Sequence, residues 1–109
     1  MEISKKIIIE KMLQLYGYVD LVATGNSMEP ILHSGDTVRV YYSKTSYHID
    51  DTIAYWSNDY DKIIIHRIVA TTSKAVFTKG DNNKEIDEVV SLDKIIGKCD
   101  LSNTGTKFT

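Results

Sequence analysis

The chain has 109 residues, of which 26% are charged and 42% belong to the AVILMFWYC set, proportions typical of a soluble globular protein. The formal net charge of −2 and the sequence pI of about 5.9 argue against binding driven by nucleic-acid phosphates. We therefore expect one domain over residues 1–109, with an N-terminal helix (1–17), a β core (18–100) and a tail (101–109).

No segment of the sequence has the length and apolarity of a membrane-spanning helix. The longest aliphatic runs are isoleucine triplets at residues 7–9 and 63–65, whereas a transmembrane helix needs roughly 18 consecutive apolar residues. Charged residues interrupt the first run before it reaches the length of a signal-peptide apolar region. Cys99 is the single cysteine, which excludes an internal disulfide and is typical of a reducing compartment. We therefore expect a cytoplasmic protein with, at most, peripheral contact to a membrane.

The first elements in chain order are a helix, a strand and a long loop. Apolar residues recur at helical spacing over residues 3–16, and Gly17 follows where an amphipathic helix would end. Apolar residues then alternate with others over residues 18–24, as in a half-buried strand. Residues 25–36 contain the densest set of turn-forming residues in the chain, so we expect a loop there.

The remainder of the chain is rich in β-forming segments. Runs of β-branched and aromatic residues predict strands at residues 37–42, 52–56, 62–72, 75–78 and 95–99. The sequence GDNN at residues 80–83 predicts a turn, and a short polar segment follows it before the last strand. These elements indicate a mainly β fold, a curved and partly closed β-sheet with one N-terminal amphipathic helix.

Ser27 is the candidate nucleophile. It lies in the sequence GNSMEP at residues 25–30, where Gly25 permits a tight turn that would expose the hydroxyl. A serine hydroxyl is a weak nucleophile at neutral pH, so it needs a neighbouring base and a backbone N–H group that stabilises the developing oxyanion. On this segment alone, capping of a turn is the commoner role for a serine.

His66 is the candidate base, because it lies in the very apolar segment at residues 63–69, where an imidazole must be paired or functional. The alternative is a core histidine bonded to a backbone carbonyl. Asp81 and Asp87 are carboxylates that could orient the ring. Asp81 is also explained by turn formation, since a Gly-Asp-Asn-Asn run bonds to its own backbone.

Taken in order, these motifs resemble the type I signal peptidase superfamily over residues 24–99. The resemblance is closest to the serine–histidine branch of the endoplasmic reticulum, archaea and sporulating bacteria, because a histidine stands where the main bacterial branch has a lysine. Several separated signatures in the same order are more specific than any one motif. The matching residues are Gly25, Ser27, Met28, Pro30, Leu32, Gly35, Asp36, Val38, His66, Arg67, the segment 78–83 and Asp87.

The resemblance implies a serine endopeptidase with a signal peptidase type of catalytic core and without a metal or other cofactor. Ser27 would be the nucleophile, His66 the general base and then acid, and Asp87 the residue that orients His66. Asp81 would give structural support.

The resemblance also implies a peptide or protein precursor as the substrate, with small side chains near the cut. The substrate would bind in extended form beside strand edges near residues 18–24 and 50–56. Met28 and Trp56 are candidate pocket residues, although core packing is the commoner role of such apolar side chains.

Two departures from the family pattern shape these expectations. Such peptidases normally carry a membrane anchor, whereas this sequence predicts an amphipathic helix, so we expect a short soluble member. By analogy it would remove leader segments from peptide precursors, alongside partner proteins of a peptide-modification pathway.

Gly25 stands where many signal peptidases have a serine that contributes to the oxyanion hole. The Ser27 backbone N–H would then carry more of that role, helped by the Asn26 side-chain amide.

Other functions compete with the protease. One alternative is a non-catalytic or self-cleaving regulatory module with the same fold. The self-cleaving domains of this kind use a lysine as their base, whereas residue 66 is histidine. A silent subunit that holds substrate for a partner stays open. Metal catalysis is disfavoured because His33, His48 and His66 lie in different segments. Cys99 lies in an apolar segment that predicts a buried structural thiol.

Overall fold

The computed structural model describes residues 5–43, 47–57 and 62–101. Within these residues one helix precedes the strands, and a single-turn 3₁₀ helix (Leu92–Lys94) leads into the last strand. The bounds are α1 (Lys5–Tyr16), β1 (Tyr18–Val22), β2 (Thr37–Tyr41), β3 (Thr52–Trp56), β4 (Ile63–Thr71), β5 (Ala75–Lys79), β6 (Glu88–Ser91) and β7 (Ile95–Asp100). The expected helical residues 3–4 and all but the first residue of the expected tail lie outside the described residues.

The strands form an antiparallel sheet in the order β1-β2-β7-β3-β4-β5-β6. The expected mainly β fold with one N-terminal helix is confirmed. The edge strands β1 and β6 do not pair with each other in the described part of the chain, so the sheet is not closed and the expected partial closure is not found. Strand β1 pairs only with β2 and β6 pairs only with β5 in this part of the chain, so no ladder of hydrogen bonds joins the two edges.

Helix α1 packs one face against the sheet. Its buried residues are Ile9 and Leu13, which lie one helical turn apart. They join a core cluster whose other buried members are Val19, Val40, Ala54, Trp56 and Ile96. The helix ends as expected at Gly17, which has a φ of +82° and donates its backbone N–H to the Leu13 carbonyl at 2.8 Å. No helix within the described segments is long and apolar enough to cross a membrane.

Strand β6 was not expected from the sequence, which predicts only a polar segment there. It pairs with β5, and its Val90 is buried while Val89 is 55% exposed. Four residues with two adjacent valines do not show a clear period of two. The strand therefore forms because it pairs with β5, and this pairing cannot be predicted from the residues of the segment alone.

Strand β3 is internal to the sheet and is buried at all of its positions. It pairs with β4 on one side and β7 on the other, so the expectation that residues 50–56 offer an edge to a substrate is wrong. Two other edges are open in the described part of the chain. Strand β1 pairs only with β2, and the pairing of β4 with β5 begins at Arg67, which leaves residues 63–66 without a β5 partner.

Candidate active site

The loop that carries Ser27 connects β1 to β2 and is anchored in the core. Gly25 has a φ of +79°, a conformation that glycine adopts without strain. Met28 and Leu32 are buried and pack with Val38 of β2 in a separate core cluster. Ser27 itself is half-buried. Because the loop is held by apolar contacts just after Ser27, the hydroxyl has a fixed position next to the sheet.

His66 of β4 meets Ser27 across the fold. The histidine is 6% exposed, and its Nε2 lies 3.1 Å from Ser27 Oγ, although 39 positions separate the two residues. This distance is within hydrogen-bond range, which a base needs to take a proton from a nucleophile. The structure thus brings together the two residues that the sequence analysis named as nucleophile and base.

The other ring nitrogen of His66 faces two oxygens. Nδ1 lies 3.5 Å from Asp87 Oδ2 and 3.4 Å from the Tyr55 hydroxyl. Burial lowers the pKa of His66 below its ordinary value, while the charges of Asp87, Glu88 and Asp81 act in the opposite direction. Because burial has the larger effect, the imidazole at neutral pH is in the uncharged form that accepts a proton.

Asp87 is held in place by hydrogen bonds to one of its oxygens. Its Oδ2 accepts the Gly80 backbone N–H at 2.6 Å and the Asn83 side-chain amide at 2.8 Å. Burial alone would raise the pKa of Asp87, but the hydrogen bonds from Asn83 and Gly80 and the nearby His66 together lower it. The carboxylate therefore stays ionised beside the His66 ring.

Asp81 is engaged in a different ion pair. Its two carboxylate oxygens accept from Nε and Nη2 of Arg67 at 2.8 and 2.7 Å, a bidentate arrangement. The hydrogen bond from Arg67 lowers the pKa of Asp81. Within the described residues no hydrogen bond joins Asp81 to His66, so the carboxylate next to the ring is that of Asp87.

The loop at residues 80–83 holds the backbone around Ser27. The Asn82 backbone N–H donates to the Ser27 carbonyl at 2.7 Å, and the Asn82 side chain donates to the Asn26 carbonyl at 3.0 Å. A Cβ atom on Gly80 would lie only 2.6 Å from the Ser27 carbonyl oxygen. The two loops approach so closely that only glycine fits at position 80 without a shift of the backbone.

Ser27 and His66 lie in the wall of a groove of about 660 Å³. The end of β1 and the loop after it form one part of the wall, and residues 63–65 of β4 form another. These are the same two chain segments that have open edges. Met28 also lines the groove, as expected, whereas Trp56 does not and instead belongs to the core beneath α1.

The structure gives no specific contact for the expected role of Asn26 in an oxyanion hole. The residue is exposed, and it is not among the residues that line the groove. The Ser27 backbone N–H donates to no protein acceptor in the described part of the chain. The amide role of Asn26 stays a prediction.

Three neighbours of the candidate residues were not given a role from the sequence. They are Tyr55, which faces His66, Asn83, which holds Asp87, and Gly80, which lies against Ser27. Tyr55 lies in a mostly apolar and fully buried strand, where a tyrosine hydroxyl requires a partner, and that requirement was an available signal. Gly80 and Asn83 lie in the segment 78–83 that carries the resemblance, but the sequence analysis assigned neither residue a role beyond turn formation.

The other candidate groups are outside this constellation. His33 and His48 are exposed and lie 3.8 Å from Glu29 and Asp51, respectively. The described residues hold no group of three or more His, Cys, Asp or Glu side chains that could bind a metal ion. Burial raises the pKa of Cys99 to about 12, which disfavours the reactive thiolate.

Comparison with known proteins gives one further observation on this site. No family model matches the chain. The chain is similar to the signal peptidase complex catalytic subunit SEC11 of Plasmodium falciparum, with 38% identity over 68 residues. This similarity supports a relationship to the signal peptidase superfamily. The match covers 58% of this chain and 36% of the Plasmodium protein, so the chain spans well under two thirds of that relative's length.

Proposed function

We propose that the chain is a serine endopeptidase of the signal peptidase type, in the serine–histidine branch. The observation that carries the proposal is the 3.1 Å distance between Ser27 Oγ and Nε2 of a buried histidine, in the wall of a groove. The similarity to a signal peptidase catalytic subunit supports the same reaction class. The contact between the two side chains inside an open groove supports this role over a turn cap and a core histidine.

In the proposed reaction His66 Nε2 takes the proton of Ser27 as the hydroxyl oxygen attacks a peptide carbonyl carbon. The protonated imidazole then gives that proton to the leaving amine, and the C–N bond breaks to leave an acyl-enzyme. Water, deprotonated by the same nitrogen, hydrolyses the ester and restores the Ser27 hydroxyl. The Ser27 backbone N–H, assisted by the Asn26 amide, stabilises the oxyanion in both halves.

Asp87 is the residue we assign to orienting the histidine. Its ionised carboxylate, held by Gly80 and Asn83, faces Nδ1 and favours the charged imidazolium that forms during the reaction. Asp81 supports the site indirectly, because its pair with Arg67 fixes the loop that contacts Ser27.

The substrate we propose is a peptide or protein precursor that binds in extended form between the open edges of β1 and β4. Main-chain N–H and C=O groups at such edges bind an added strand. Met28 and the apolar side chains of residues 63–65 would contact substrate side chains. We further propose removal of a leader segment in the cytoplasm, next to enzymes that modify the peptide, as the biological setting.

The test is a peptide library derived from a whole proteome, incubated with the protein and searched for new termini by mass spectrometry. We expect cleavage by the wild type and its loss in Ser27→Ala, since removal of a triad nucleophile costs on the order of a million-fold in turnover. Ser34→Ala is the matched control, because Ser34 is an exposed serine of the same loop. Equal cleavage by wild type and Ser27→Ala would contradict the proposal, and so would a lack of cleavage by both.

A further inference from the structure

We propose that Tyr55 is a positioning residue whose hydroxyl, held by Thr78, accepts the proton of His66 Nδ1 and so keeps the Nε2 lone pair directed at Ser27. The inference rests on the proposed function, in which Nε2 is the base. It adds a second acceptor for the ring, beside Asp87.

The position of Tyr55 follows from the register of the sheet. His66 of β4 is paired with Ile53 of β3, so Tyr55 is its diagonal neighbour on the same face, within reach of an aromatic side chain. On the other side, Thr78 of β5 is paired with Ile68 and is diagonal to His66 in the same way. Tyr55 and Thr78 are both fully buried. Three neighbouring strands thus place three polar side chains together in an otherwise apolar core.

The contacts form a chain that leads away from the ring. The Tyr55 hydroxyl lies 3.4 Å from His66 Nδ1 and 3.3 Å from Thr78 Oγ1. Thr78 Oγ1 in turn donates to the Glu88 backbone carbonyl at 3.1 Å. A hydroxyl carries a single proton, so each link in this chain has a direction.

That direction is set by the carbonyl at the far end. A carbonyl oxygen only accepts, so the Thr78 proton points to Glu88, and Thr78 Oγ1 is left to accept the proton of Tyr55. The Glu88 side chain also interacts with the Tyr55 hydroxyl and can only accept from it. With its proton taken by these groups, Tyr55 presents only lone pairs to His66, which requires the proton of the neutral imidazole to be on Nδ1. Burial raises the pKa of Tyr55 well above its ordinary value, so the hydroxyl keeps its proton at all working pH values.

Asp87, the second group that faces Nδ1, also requires the ring proton to be on Nδ1. The ionised Asp87 carboxylate also only accepts, and its Oδ2 already takes hydrogen bonds from Gly80 and Asn83. Two acceptors on one side of the ring leave Nε2 unprotonated on the side of Ser27. A tyrosine that served only to pack the core would need no acceptor orientation toward the histidine.

The test is nitrogen NMR of isotope-labelled His66 in the folded protein, which reports which ring nitrogen carries the proton. We expect the Nδ1–H form in the wild type and a measurable increase of the Nε2–H form in Tyr55→Phe. The double change Thr78→Val with Glu88→Ala is the second variant, because without these two acceptors the Tyr55 proton turns toward Nδ1 and drives the same change. Tyr47→Phe is the matched control, since its hydroxyl donates to the Ser43 carbonyl at 2.8 Å, away from the ring.

Unchanged proton positions in both folded variants would overturn the inference, because Asp87 alone would then hold the ring.

The kinetic measurement uses a peptide from the library screen, and we expect Tyr55→Phe to lower kcat roughly ten- to a hundredfold with KM unchanged. If the wild type cleaves no peptide but the NMR change is present, the proposed function fails while the positioning of the ring stands. If the wild type cleaves and neither readout changes in Tyr55→Phe, the positioning role fails while the protease stands.

Discussion

At the scale of single residues, the chemistry depends on the surroundings of His66. A histidine in water has a pKa of about 6.5, whereas burial lowers the pKa of His66. Asp87 opposes this effect and stabilises the imidazolium once it forms. In the proposed reaction the ring thus starts uncharged and has an anion nearby once it is protonated, which is the combination that a general base requires.

The first prediction at this scale concerns the pH dependence of kcat/KM. Protonated His66 cannot act as a base, so the rate rises with pH through the pKa of the free enzyme and then levels. Because burial lowers that pKa, we expect the midpoint of the rise to lie below the ordinary histidine value of about 6.5. Initial rates on one peptide across the acid-to-neutral range measure it. A midpoint in the alkaline range, typical of a lysine base, would contradict the assignment.

The second prediction separates the two aspartates. Asp87→Asn removes the charge that faces the His66 ring, and we expect kcat to fall by about a hundredfold or more. Asp81→Asn breaks the bidentate pair with Arg67, and we expect it to lower the free energy of unfolding by about 1–3 kcal/mol with a smaller change in kcat. Steady-state kinetics and urea unfolding on both variants provide the comparison. The reverse pattern would exchange the two roles.

At the scale of elements, the loop at residues 80–83 contacts the loop that carries Ser27 and fixes its position. It contributes a hydrogen bond to the Ser27 carbonyl and, through Gly80, a surface without a side chain. The same loop donates two hydrogen bonds to Asp87. The nucleophile and the carboxylate therefore depend on one turn for their relative position.

We predict that Gly80→Ala reduces activity by displacing Ser27. The added methyl group would lie 2.6 Å from the Ser27 carbonyl oxygen, and a backbone group cannot turn aside as a flexible side chain would. A shift of about 1 Å in a reacting group can cost on the order of a hundredfold in rate. Lys84→Ala, at an exposed position just after the turn, is the control and should keep the wild-type rate. Full activity in Gly80→Ala would show that the approach of the two loops has no functional role.

Local sequence patterns predicted most, but not all, of the secondary-structure elements and contacts. Helix α1 and every described strand except β6 were predicted because their residue patterns and turn residues, such as Gly17, are local properties. Strand β6 was missed because it forms through pairing with β5 rather than through a pattern of its own residues. Strand β3 was wrongly expected to have an open edge, because the order of strands in a sheet cannot be predicted from local patterns. The pairing of Ser27 with His66 was expected from the resemblance of ordered motifs. The contact of Tyr55 with His66 depends on register, which no single segment reveals.

At the scale of the whole molecule, the site lies where two parts of the open sheet face each other across the groove. Strand β1 forms one edge of the sheet, and the start of β4, which pairs with β3 but not with β5, provides the other wall. If the sheet were closed, a peptide would have no open edge to join. We infer that the open edges and the groove are the feature of the fold that admits an extended chain.

We predict that His66 contributes to the pH dependence of the free energy of unfolding. His66 has a lowered pKa in the folded state, so the unfolded chain binds more protons in mildly acidic solution. This contribution to stability is fully present above the unfolded pKa of about 6.5 and is lost as the pH falls through the lower folded pKa. Urea unfolding at several pH values should show a smaller acid loss of stability in His66→Gln than in wild type. His33→Gln, at an exposed histidine, is the control, and equal pH dependence in wild type and His66→Gln would contradict the account.

The proposed mechanism requires Ser27 and His66 to act as one unit, and a double-mutant cycle measures whether they do. The rate of cleavage of one library peptide is measured for Ser27→Ala, His66→Ala and the double variant. Groups that act together are strongly non-additive, so we predict that each single variant and the double variant have the same residual rate. Losses that multiply in the double variant, or a His66→Ala protein that keeps the wild-type rate, would contradict the proposed mechanism.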